Sequence, residues 1–106
     1  MRDLTPVILQ AGLREALSEG GTLEAECVEE ASKQGNIWQG SWRIHLCLRD
    51  QRALLVLSRN LDPREFKTIT GLISFGHELG FSIVPVPLRQ GVRAAWHKDE
   101  ELRSGL

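Results

Sequence analysis

Residues 41–48, SWRIHLCL, alternate without a break. Trp42, Ile44, Leu46 and Leu48 share one parity, while Arg43, His45 and Cys47 share the other, with Arg49 continuing the polar row. A period of two marks a strand with one buried and one wet face. The segment 37–49 is read as that strand, with Gly40 as the place for a bulge. Upstream, Leu23, Ala25 and Cys27 alternate with Glu24 and Glu26, and Gln34-Gly35-Asn36 makes a turn that would join the two segments as a hairpin. Residues 22–34 also fit a helix capped by Thr22, with Leu23, Cys27, Val28 and Ala31 as its stripe. The need of the following strand for a neighbour favours the strand. After a turn at Asp50-Gln51, residues 53–58 (ALLVLS) are apolar on both parities, which predicts a central strand covered on both faces.

Spacings of three and four predict two helices. The first starts with Thr5 as N-cap and Pro6 at the first helical position, carries Val7, Ile8, Ala11 and Leu17, widened by Leu9 and Leu13, and ends at Gly20-Gly21. The second has Asp62 as cap and Pro63 at the first position, and runs to about Leu79 before Gly80. Phe66, Ile69, Leu72, Ile73, Phe75 and Leu79 form its stripe, and Gly76 inside that stripe would let a strand approach closely. Residues 81–88 are then read as an edge strand, because Pro85 and Pro87 lack the N–H of a central ladder. Gln90-Gly91 turns the chain, and Val92, Ala94 and Trp96 alternate as a last short strand. The expected order is α-β-β-β-α-β(-β): an α+β domain over 1–98, an antiparallel sheet with two helices, and a polar, frayed tail over 99–106.

Composition adds limits. The chain has 106 residues, 42% apolar and 25% charged, close to the ordinary balance of a single globular domain. No apolar run approaches the ~20 residues of a membrane span, and the N-terminal stretch lacks the pattern of a signal peptide. A cytoplasmic protein with no membrane partner is the expectation. Cys27 and Cys47 fall on opposite faces of their strands, so they are read as free thiols of a reducing compartment. Neither CxxC nor HxxxH spacing is present, and the glycines form neither GxGxxG nor GxxxxGK[ST]. No metal and no cofactor is expected.

Charge is unevenly spread. Residues 1–30 hold two basic against seven acidic side chains, residues 31–98 ten against four, and residues 99–106 one against three. Such asymmetry signals either an acidic and a basic side or charges that interleave and cancel on folding.

His45 and Cys47 share a strand face, but residues two apart stand side by side and reach each other poorly, and no third group or oxyanion loop accompanies them. Catalysis is therefore not expected. The basic rows are the stronger signal: Arg43 and Arg49 on one strand, Arg52 and Arg59 flanking the next, with Trp38 and Trp42 nearby. Trp38 either joins Trp42 in the core or stands as an exposed anchor near the hairpin turn. Arginine and aromatic side chains together make interface hot spots and also contact phosphates and bases. The expected function is a small non-enzymatic adaptor or regulatory module that binds another protein. Its candidate partner-binding residues are Trp38, Arg43, His45, Arg49, Arg52 and Arg59, with the edge bearing Pro85 and Pro87 as a second surface. Self-association into a homo-oligomer is a further expectation, since the third strand is apolar on both sides. The alternative is a nucleic-acid-binding module using the basic 43–67 segment. The α-β-β-β-α order resembles that of double-stranded RNA-binding modules, but their basic cluster is reduced here to Arg64 and Lys67 with Glu65 nearby, and a pI near 6.3 is low for such a binder.

Overall fold

The computed structural model describes residues 6–98. Thr5 and the tail 99–106 lie outside the described residues. The elements in chain order are β1 (Val7–Leu9), α1 (Gln10–Ser18), β2 (Thr22–Gln34), β3 (Ile37–Leu48), β4 (Gln51–Val56), β5 (Glu65–Thr68), α2 (Ile69–Glu78) and β6 (Arg93–Trp96). The fold is α+β, with a mixed six-stranded sheet and two helices.

The sheet runs β1-β4-β3-β2-β6, with β5 also on β3. One edge of the long β3 carries β2. Its other edge is shared, with β4 along Leu48 to His45 and β5 along Arg43 to Gln39. The 22–34 segment is the strand β2, joined to β3 through Gly35 at φ 64. The chain turns between β3 and β4 at Arg49-Asp50, one residue earlier than expected, with Arg49 itself at φ 57. All pairings of β2 to β6 are antiparallel, whereas β1 lies parallel to β4, Ile8 opposite Leu55.

Both helices are shorter than the local signals imply. Pro6 does not open a helix. Its carbonyl accepts from Leu54 N–H at 2.9 Å, and the three residues after it pair with β4. An apolar central strand leaves a row of unpaired main-chain groups along its free edge, and satisfying these outweighs one N-terminal cap. The helix starts after Leu9, which offers no side-chain cap. Asp62 and Pro63 likewise do not start α2. Residues 65–68 complete the open half of β3's edge, and Thr68 caps the helix, its hydroxyl accepting from Gly71 N–H at 3.0 Å. Phe66 thus reaches the core from a strand opposite Trp42, while Ile73 of the predicted stripe is exposed.

The core lies on one side of the sheet. Leu23, Ala25 and Cys27 of β2 and Trp42, Ile44 and Leu46 of β3 meet Leu13 and Leu17 of α1 and Leu72 and Phe75 of α2. Residues 81–88 are an extended strap and not an edge strand. The prolines have no N–H to give a ladder, but their carbonyls accept: Trp96 Nε1 donates to Pro85 O and Trp42 Nε1 to Pro87 O, both at 2.7 Å. Leu88 O takes Ala31 N–H at 2.9 Å, tying the strap to β2. Gly76 is buried as expected, approached by Val84 of the strap and Trp96 of β6. The expected bulge sits where Gly40 lies: β2 carries extra residues opposite it, and a Cβ on Gly40 would stand 2.8 Å from the Trp42 ring.

Candidate functional site

The parity of β3 that turns away from the core carries a charged lattice. Register builds it. Glu24 of β2 stands opposite His45, Glu26 opposite Arg43 and Arg93, Cys47 opposite Arg52, and Arg43 opposite Glu65. Arg52 donates to Glu24 at 2.5 Å, and Arg93 approaches Glu24 at 3.4 Å. His45 Nε2 meets Glu26 Oε1 at 2.8 Å. Arg43 donates through Nε and Nη2 to one oxygen of Glu65, at 3.0 and 2.8 Å, while Lys67 and Ser41 take the other at 2.9 and 3.2 Å.

This arrangement answers the uneven charge of the chain. The acidic segment 22–30 lies beside the basic segment, so opposite charges interleave across the strands. Partial burial opposes ionisation of Glu24, but the hydrogen bond and charge of Arg52, with Arg93 adding, hold its carboxyl below the usual range. The same bond raises the pKa of Arg52. Lys67 and then Arg43 hold Glu65 down at about 2.

A carboxyl with a depressed folded-state pKa stabilises fully above its unfolded value, about 4.3, and loses that contribution as pH falls through the folded value. Because Arg43 and Lys67 are solvent-screened, the Glu65 share is about 1–2 kcal/mol. Urea midpoints measured from about pH 5 to about pH 2 should fall more steeply in wild type than in Glu65→Gln. Equal slopes would mean that the trio does not hold Glu65 in solution.

Among the sequence candidates, Arg43, His45 and Arg52 belong to this lattice. Arg49 does not: its positive φ places it in the turn after β3, and Arg59 lies in the exposed turn after β4. The proposed docking edge at Pro85 and Pro87 is not an edge, since Pro87 is buried and both carbonyls face tryptophans. Cys27 is buried in the core, and burial pushes its thiol up. Cys47 Sγ accepts from Arg52 Nη1 at 3.5 Å while His45 engages Glu26, so each of the two neighbours is committed to a different side chain. Among the described residues, no three His, Cys, Asp or Glu side chains converge to hold a metal. No helix among them is long and apolar enough to cross a membrane.

Trp38 has the most distinctive position. The outer half of the β2–β3 hairpin leaves the core behind: residues 32–39 are exposed throughout. At its tip Ile37 pairs with Gln34 and Trp38 with Lys33, and these apolar side chains are 51% and 45% exposed. Trp42, four residues on, is fully buried. Ile37 was missed from sequence, although its place just after the turn is itself a signal. Glu24, Glu26 and Glu65 were missed as site members, although the alternation of Glu24 and Glu26 marks their face.

No protein-family model, characterised protein or solved structure matches this chain.

Proposed function

We propose that this protein is a non-enzymatic interaction module that binds another protein through the outer β2–β3 hairpin, with Trp38 and Ile37 as anchors. The carrying observation is the exposure of these two side chains on an arm with no core beneath it. A two-stranded arm alone is marginally stable in water, and a large apolar side chain kept at its tip gains most from burial against a partner. Tryptophan is also among the residues most enriched in hot spots.

The alternative of nucleic-acid binding draws less support. Such binding needs cations available to phosphates, and Arg43, Arg52 and Arg93 each bond to a carboxylate of their own sheet. The charged lattice fits the rim of a protein interface better, where it would orient a partner.

The test uses the full chain as bait, with Trp38→Ala beside it. Trp38 is exposed and is not part of the buried cluster, so its loss should change stability by no more than about 0.5 kcal/mol. A captured protein, titrated against both baits, should bind the variant at least about tenfold more weakly, in keeping with loss of a hot spot. Equal affinity for both baits would remove the hairpin from the reading. Anisotropy with labelled DNA and RNA at low salt should show no binding. Salt-sensitive binding that Arg43→Glu/Arg49→Glu abolishes would put nucleic acid in its place.

A further inference from the structure

A crevice of about 460 Å³ opens where the C-terminal ends of α1 and α2 meet, on the opposite side of the sheet from the charged lattice. Arg14 and Lys98 line it, together with Leu17, Ser18 and Leu79. Among the described residues no carboxylate lines it, and neither cation forms an ion pair. Arg14 Nη2 donates to Glu78 O at 2.7 Å, and Lys98 Nζ donates to Leu79 O while lying over the Phe81 ring, 4.9 Å from its centroid.

The plain reading of these contacts is that two cations cap the carbonyl end of α2. That accounts for their positions but not for their charge. A helix C-terminus carries about half a negative charge, and although Glu15, Glu19 and Glu78 sit on the same helix ends, none of their carboxylates lines the crevice to pair with the two cations. A guanidinium has five N–H donors and an ammonium three, so one carbonyl each leaves donors over. Room for the ammonium is also built in: a Cβ on Gly80 would stand 2.8 Å from Lys98 Nζ. Leu17 and Leu79 supply an apolar wall. Crevices of this volume that combine apolar walls with a few convergent polar groups are the usual form of small-molecule sites.

We propose that this crevice binds a small organic anion. Its carboxylate or phosphate group bonds to Arg14 and Lys98, and a short apolar body rests on Leu17 and Leu79. The site is separate from the hairpin and does not depend on the function proposed for it.

The probes are benzoate and phenyl phosphate, with benzyl alcohol as the uncharged control, followed by amide chemical shifts of the full chain. Either anion, at about 10 mM or below, should shift the amides of Gly20, Gly21 and Leu79 with a saturating curve, and benzyl alcohol should not. The arm that responds more strongly distinguishes carboxylate from phosphate. Arg14→Gln/Lys98→Gln should weaken binding at least about tenfold, whereas Arg14→Lys/Lys98→Arg should retain most of it, which separates lost charge from lost folding. Absence of saturable shifts, or equal binding by the charge-removed variant, would overturn the proposal. A third variant, Asp99→Asn/Glu100→Gln/Glu101→Gln, removes the acidic side chains that follow Lys98 in sequence. Binding seen only in that variant would assign the crevice to the chain's own carboxylates and equally overturn it.

Discussion

Replacing Trp42 by alanine is expected to cost about 4 kcal/mol, because two neighbouring strands and the strap converge on this indole. It is fully buried, stands opposite Cys27 of β2 and Phe66 of β5, and holds the strap through its bond to Pro87 O. Removing the ring opens a large cavity and leaves the Pro87 carbonyl without its donor. Against a total stability of about 5–15 kcal/mol, that loss is enough to unfold a substantial share of molecules under mild conditions. Trp42→Phe separates the two contributions. It keeps most of the apolar volume but cannot donate, and should cost about 1–3 kcal/mol. Urea denaturation read by far-ultraviolet dichroism checks both. If Trp42→Phe were neutral, the bond to Pro87 would contribute nothing net, and the strap would be held by packing alone. The contrast with Trp38, whose removal should leave stability nearly unchanged, tests the division between core and anchor in a single strand.

Gly76→Val should destabilise by about 3 kcal/mol through overpacking. A Cβ at this position would stand 2.7 Å from Val84 Cγ2 and 3.2 Å from the Trp96 ring. Neither neighbour yields cheaply: Val84 is a short, β-branched side chain, and Trp96 is fully buried and bonded to Pro85 O. The smaller change, Gly76→Ala, is diagnostic by sign. In an open helix interior it would stabilise by about 1 kcal/mol through propensity alone. Here the contact should reverse that, and Gly76→Ala should lower the thermal midpoint. A raised midpoint would mean that the strap is free to move off α2.

Some of the architecture is determined by the sequence itself. Alternation in LEAEC and in SWRIHLCL gives residues 23–27 of β2 and 41–48 of β3 their sides of the sheet, because the period of a strand is a property of the backbone. The hairpin turn at Gly35-Asn36, the close approach at Gly76 and the stop at Gly20 follow equally from local chemistry. The tertiary structure decided what Pro6-Val-Ile-Leu, Glu65–Thr68 and the Pro85–Pro87 stretch become. A proline behind a capping residue, Thr5 or Asp62, offered helix starts at two of these places, yet free strand edges on β4 and β3 demanded main-chain partners, and those edges exist only once the sheet has assembled. Likewise, the carbonyls of Pro85 and Pro87 found their role from two indole N–H groups, 11 and 45 residues distant. The charge asymmetry of the chain changed meaning for the same reason: only register sets Glu24 beside Arg52 and Glu26 beside His45, turning an apparent basic half into a neutralised lattice.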